Sequence, residues 1–229
     1  LIYSWNFGDN TQPVVGRDVK HTFADNGNYN VVLTVTDKDG GVTTQTIVVK
    51  VDNVAPKIVN IVKPTKINEG QAALFKAMAT DPGKSDTLTY SWNFGDNTQP
   101  VFEQNATHIF ADNGEYNVIL TVTDKDGGVT TQTTVVKVDN VAPKIVNIVK
   151  PATITKGQAA QFGGIATDLG LLDTLTYSWN FGDNTESVFG RDPVHVFSSN
   201  GYYDVVLTVT DKDGGVTTKT VKVKVNNPI

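Results

Sequence analysis

Cysteine is absent from this 229-residue chain. No disulfide can staple the fold, and neither a thiolate zinc site nor a cysteine nucleophile is available. That absence neither proves nor excludes secretion. Histidine is scarce. His21, His108 and His195 lie a full domain length apart, each two residues before a phenylalanine. No two are close enough in sequence for a zinc pair, and a Ser-His-Asp site needs three partners on one spot. Each is expected to be a strand-end histidine bonded to a neighbouring loop, and the chain is expected to be non-enzymatic. Methionine occurs once, and no stretch shows a helical period, so no glycine-rich phosphate loop precedes a helix. No apolar run approaches the ~18 residues of a membrane span. A basic surplus is missing too: 19 basic against 24 acidic side chains, net −5, argue against nucleic acid as a partner.

What the chain does have is a repeat. The phrase Trp-Asn-Phe-Gly-Asp-Asn-Thr begins at Trp5, Trp92 and Trp179, so the period is 87 residues both times. Thr34–Pro64 and Thr121–Pro151 differ only where Ile47 faces Thr134. A unit of this length can hold its own core, which predicts separate domains in a row, beads on a rod, and not a solenoid. The expected divisions are a partial repeat over 1–53, a second over 54–140 and a third over 141–229. Leu1 aligns with Leu88, so the first copy lacks the counterpart of 56–87. This predicts an excerpt of a longer protein, with native termini and any export signal out of view and with residues upstream of Leu1.

Within the second copy a period of two is easy to follow. Lys57–Lys63 reads as a strand stopped by Pro64. Ala72–Thr80 turns Ala73, Phe75, Ala77 and Ala79 to one face, and the third copy places Ala160, Phe162, Gly164 and Ala166 there. Leu88–Phe94 alternates Tyr90, Trp92 and Phe94. Extended pieces follow near Val101 and at His108–Phe110. Tyr116–Thr123 puts Tyr116, Val118, Leu120 and Val122 inward, and the last strand does so at Thr134, Val136 and Val138 and at Val221, Val223 and Val225. Asn113-Gly114 and Asp126-Gly127 are expected to close hairpins. Some seven short strands per unit, with frequent turns, predict an all-β antiparallel sandwich.

Tyr90-Ser-Trp-Asn-Phe-Gly-Asp96, then His108 and Phe110, then Gly114-x-Tyr116-x-Val118-x-Leu120-Thr-Val-Thr-Asp124 resemble the PKD (polycystic kidney disease) domain, with Asn93 and Asn97 replacing the commoner Asp and Gly. The resemblance covers the chain in three copies and implies tandem immunoglobulin-like β-sandwiches of an extracellular or cell-surface bacterial or archaeal protein. It is specific for fold and much less so for function. The repeated phrase reads as a folding device: the aromatics bury area, Gly95 permits a sharp turn and Asp96 accepts backbone N–H groups.

The acids allow a second reading. With strands alternating in direction, the loop Asp81–Asp86, the turn Asp124–Gly128 and the linker Val51–Pro56 fall at one end of the unit. Asp52, Asn53, Asp81, Asp86, Asp124 and Asp126 would gather at one junction. Asp139, Asn140, Asp168, Asp173, Asp211 and Asp213 would gather at the next. Converging carboxylates with little lysine nearby repel one another unless a cation screens them, and hard oxygen donors at variable spacing suit Ca²⁺. An EF-hand is excluded by its missing ligands. Some PKD-like domains of secreted collagenases bind calcium at comparable loops, which the resemblance carries over as an expectation; solvated turn acids remain the alternative. Leu169, Leu171 and Leu172 replace polar residues of the Asp81–Asp86 loop, marking either a contact with the second repeat or a more buried loop.

Two functional readings stand. The first is a structural spacer in a surface protein, adhesin, filament or surface layer, with the neighbouring repeats, lateral or end-to-end copies of itself, or a surface protein as partners. The second is a carbohydrate- or protein-binding accessory module of a secreted hydrolase, which needs an exposed row of aromatics. Tyr202, which stands in the place of Glu115, is its best candidate ligand-binding residue for a polysaccharide, with Tyr203, Phe102 and Phe189 as further candidates. Asn105-Ala-Thr107 is a single glycosylation sequon.

Overall fold

The computed structural model describes residues 1–228, and those residues contain strands and turns with no helix. The third repeat shows the plan. Its strands are β12 (Lys144–Val149), β13 (Ile154–Thr155), β14 (Ala159–Gln161), β15 (Gly163–Thr167), β16 (Thr176–Asn180), β17 (Val188–Phe189), β18 (Val194–Val196), β19 (Gly201–Thr210) and β20 (Val216–Asn226). A five-stranded sheet runs β13-β20-β19-β16-β17, and the pairs β12-β15 and β14-β18 form the other layer. Phe162, Trp179, Phe181, Phe197, Leu207 and Val223 pack between the layers, all at most 1% exposed. The alternation expected along Ala160–Ala166 holds in its facing, but the strand breaks at Phe162. Its first half pairs with β18 and its second with β12.

The middle repeat has β5 (Lys57–Val62), β6 (Ile67–Asn68), β7 (Ala72–Thr80), β8 (Thr89–Asn93), β9 (Asn105–Ile109), β10 (Gly114–Thr123) and β11 (Val129–Asp139). Here β5 pairs antiparallel with β7, β8 with the second half of β10, and β6 runs parallel to the end of β11. The first repeat consists of β1 (Ile2–Asn6), β2 (Val14–Val15), β3 (Gly27–Thr36) and β4 (Val42–Val51), one sheet in the order β2-β1-β3-β4. The chain divides into two compact units. One holds Leu1–Lys63, Phe75–Ala106 and Asn117–Thr134, and the other Pro64–Leu74, Thr107–Tyr116 and the chain from Val135 on, so each takes part of the middle repeat.

One expected hairpin is a crossover. Asn200-Gly201 leads from β18, paired with β14, to β19, paired with β16 and β20. Asn113-Gly114 stands at the same place between β9 and β10. The corner is closed by a side chain instead of a ladder: the Tyr203 hydroxyl donates to Ser199 O at 2.9 Å, and Tyr116 to Asp112 O at 2.9 Å. The turn Asp211–Gly215 does close a hairpin, with Thr210 opposite Val216.

Candidate functional site

The repeated phrase folds onto itself. Trp179 is fully buried and its Nε1 donates to Gly190 O at 3.0 Å; Trp92 donates to Glu103 O and Trp5 to Gly16 O in the same way. Gly182 takes φ 72°, and a Cβ there would stand 2.6 Å from Asp204 O, so only glycine fits the turn. Asp183 receives the Thr185 amide and hydroxyl on one oxygen and His195 Nε2, at 2.7 Å, on the other. His195 also stacks on Phe181 at 3.9 Å. Burial alone would raise the Asp183 pKa, but the Thr185 and His195 contacts outweigh it and hold it below the usual carboxylate range. In the first repeat the Thr11 hydroxyl, then His21, push Asp9 down to about 2. Both histidines bond a loop aspartate as expected, although His195 is the middle residue of β18 and His21 lies outside the strands.

The other concentration of charge lies where a repeat meets its predecessor. In the first compact unit, Lys125 Nζ reaches Asp25 at 2.7 Å, Asp86 at 2.6 Å and Asp126 at 3.0 Å. Asp25 belongs to the repeat before. The second unit repeats the arrangement: Lys212 Nζ lies 2.6 Å from Asp112 of the preceding repeat, 2.6 Å from Asp173 and 2.9 Å from Asp213. The lysine comes from the Asp-Lys-Asp-Gly-Gly turn, whose first aspartate is tied down by its own backbone. Asp211 Oδ1 accepts the Asp213 and Gly215 amides, and Oδ2 accepts Asn140 Nδ2 at 3.1 Å; Asp124 does the same with Asp126, Gly128 and Asn53. The linker asparagine is thereby pinned to the turn. Asp25, then Asp86 and Asp126, raise Lys125 above the usual lysine value; burial lowers Lys212, but its three carboxylates outweigh that and raise it as well.

Sequence reasoning gathered most of these acids and missed the groups that organise them. The expectation of little nearby lysine fails, because Lys125 and Lys212 sit among the carboxylates. Asp25, Asp112 and Glu69 were also missed. Glu69 is fully buried, accepts the Val141 amide at 2.7 Å, and shares a cluster with Asp168 and Asp173 whose oxygens lie within 4.8 Å of one another. Burial raises its pKa, and the Asp173 and Asp168 charges add to the rise. A glutamate at an Asn-Glu-Gly bend gives no sequence signal of such a position. Three expected acids enter no carboxylate cluster among the described residues: Asp211, held by Asn140 and its own turn, and two more on the strand and linker. Asp52 is 77% exposed on its side chain and pairs with Lys50, and the Asp139 side chain stands 3.9 Å from Lys137 on the strand; neither carboxylate enters a cluster among the described residues. The leucine loop is not more buried, since Leu171 is 71% and Leu172 62% exposed, while its backbone meets the second repeat through Leu172 N to Ala111 O at 3.3 Å.

The donor set fits a hard cation. Asp81, Asp86 and Asp124 form one oxygen cluster in the first unit. Asp81 Oδ2, Asp168 Oδ2, Asp173 Oδ2 and Asn140 Oδ1 are buried and have no hydrogen-bond partner. Orphaned oxygens of this kind are costly unless something positive faces them.

The candidate sugar platform is less coherent. Tyr202, Phe102 and Phe189 are exposed by 76%, 77% and 79%, whereas Tyr203 packs against the core. Through the ladder Phe189 lies beside Ser178 and then Thr208, six positions along β19 from Tyr202. At about 3.3 Å per residue that is roughly 20 Å, so the two rings form no shared strip.

A model of the PKD domain matches residues 1–51, 53–138 and 140–225. Among curated proteins, the pre-pro-metalloprotease PrtV of Vibrio cholerae is 32% identical over 158 residues, covering 68% of this chain and 16% of PrtV. The collagenase ColA of Clostridium perfringens is 31% identical over 151 residues, covering 65% of this chain and 13% of ColA. The chain thus spans less than a fifth of these relatives' length. Among solved structures, the PKD1 domain of Vibrio anguillarum Epp is 27% identical, with a TM-score of 0.34, covering 39% of this chain and all of that domain. The family matches take up nearly the whole chain and leave no length for a catalytic domain. Three tandem matches to the family model, the first to a partial repeat, all carrying the same tryptophan phrase and the same acidic turn, place this chain in the PKD domain family.

Proposed function

We propose that this chain is a non-catalytic accessory segment of a secreted, extracellular hydrolase, and that within it the repeats act as a jointed spacer. The observation that carries the spacer role is the lysine of each acidic turn, which bonds a carboxylate of the repeat before it. Such cross-repeat ties limit hinge motion, as does the proline of each linker, Pro56 and Pro143. The assignment to a hydrolase rests on the kinship with PrtV and ColA. A free spacer of a surface protein would use the same joints, and the scattered aromatics favour a spacer over a sugar-binding strip.

Deleting residues 1–225 from the parent protein tests the reading. Its rate on a short soluble peptide should stay unchanged while its rate on an insoluble protein substrate falls. An equal loss on both would make the segment part of the catalytic fold, and no loss on either would leave the spacer without a hydrolase to serve.

The same joints suit Ca²⁺. At the first, Asn53, Asp81, Asp86 and Asp124 would supply oxygens, and at the second, Asn140, Asp168, Asp173 and Asp211, with Glu69 adding a carboxylate from the preceding repeat. The unpartnered oxygens support this, and a bound ion would offset repulsion that one lysine leaves unscreened.

A further inference from the structure

The second and third repeats differ at scattered positions, and several of those differences fall on one face of the third repeat. At the 87-residue offset, Glu69 becomes Lys156, Glu115 becomes Tyr202, Val135 becomes Lys222 and Asp139 becomes Asn226. Lys63 and Lys137 are kept as Lys150 and Lys224. Three acids of the second repeat are therefore lost and one, Asp204 in place of Asn117, is gained; two lysines and a tyrosine are gained, Lys66 gives way to Thr153, and two lysines are retained. The whole chain remains at −5, so this face runs against the general charge.

Lys150, Tyr202, Lys222 and Lys224 line one groove of about 340 Å³ with Ile154 and Asn226, and the Lys156 amide bonds Asn226 O at 3.0 Å at its edge. The Tyr202 ring is 76% exposed, with the Lys224 ammonium 6.0 Å from its centre. Lys222 pairs with Asp204 at 2.8 Å, which leaves Lys150, Lys156 and Lys224 with no ion pair among those the structure gives.

We propose that this face binds an acidic polysaccharide, with Tyr202 stacking on a sugar ring and Lys150, Lys156 and Lys224 meeting its carboxylate or sulfate groups. A flat exposed ring with an apolar body suits a sugar face. Lysines around it give charge complementarity, which is lost as salt screens them. An acidic protein would use the lysines and have no need of the ring. This binding goes beyond the spacer role and does not depend on it.

Affinity electrophoresis and calorimetry of the full chain test it, with alginate and chondroitin sulfate as acidic glycans, dextran as a neutral glycan and polyglutamate as a polyanionic peptide. Binding to the acidic glycans should weaken at least about tenfold in Tyr202→Ala and again in Lys156→Glu/Lys224→Glu, and should fade with added salt. Dextran should not bind. All three positions lie on the surface, so the variants should melt with the parent, which separates lost binding from lost folding. Absence of glycan binding overturns the proposal. So does equal binding of polyglutamate with no effect of Tyr202→Ala, which would make the face a seat for an acidic protein.

Discussion

Trp179 is fully buried, stacks at 6.3 Å on Phe181 and satisfies its indole N–H on Gly190. Trp179→Ala should cost the third repeat about 3–5 kcal/mol, read from denaturant unfolding. Asp183 adds a pH dependence. Its folded pKa is depressed, so its contribution is present above the unfolded value near ~3.9 and is lost as pH falls through the folded one. Asp183→Asn should lower stability at neutral pH and flatten the loss between about pH 5 and pH 2, as melts at stepped pH would record. An unchanged acid profile would remove His195 and Thr185 as the cause. This part of the molecule was legible in the sequence, because a period of two turns Trp92 and Phe94 inward and an Asp-Asn turn follows. The aspartate partners of His21 and His195 were not read, since each lies twelve residues back along the chain.

The joints belong to the scale of elements. Lys212→Met would leave Asp173, whose side chain is 0% exposed, beside Asp168 and Asp213 with no cation. The lysine itself is about one-third exposed, so the expected loss is about 2 kcal/mol, less than for a fully buried pair. Calcium gives a second handle. Melting of the chain in millimolar Ca²⁺ should exceed that in excess chelator by several degrees, and Asp168→Asn with Asp211→Asn should remove part of the difference. Equal melting in both solutions would return the acids to turn chemistry. The gathering of these loops at one end of a repeat followed from strand alternation. The lysine was missed because Lys125 and Asp25 are 100 residues apart, as are Lys212 and Asp112. Periodicity orders the residues of one strand, but it is silent on what a loop meets in the next repeat.

Across the whole molecule, the two lysine ties are built alike and recur at the 87-residue period, one in each compact unit. The losses from Lys125→Met and Lys212→Met should therefore add within about 0.5 kcal/mol when the double variant is measured. A coupling well beyond that would mean the middle repeat transmits strain from one joint to the other. The number of copies was readable from the 87-residue period, and the family from the aromatic, glycine and acid phrases that recur with it. The basic face of the third repeat was not, because four substitutions scattered over 71 positions meet only once β13, β19 and β20 are side by side.

The parallel pairing of β6 with the end of β11 has a kinetic consequence. Ile67 lies beside Val138, and in the third repeat Ile154 lies beside Val225, so the opening of each sandwich waits for its last strand. Contacts this distant along the chain slow folding. During synthesis or export, a repeat stays an open sheet with a free edge until its final residues emerge, while its near-identical neighbour offers the same strands. Completion in order, one repeat closing before the next has emerged, is what would keep strands from being exchanged between them.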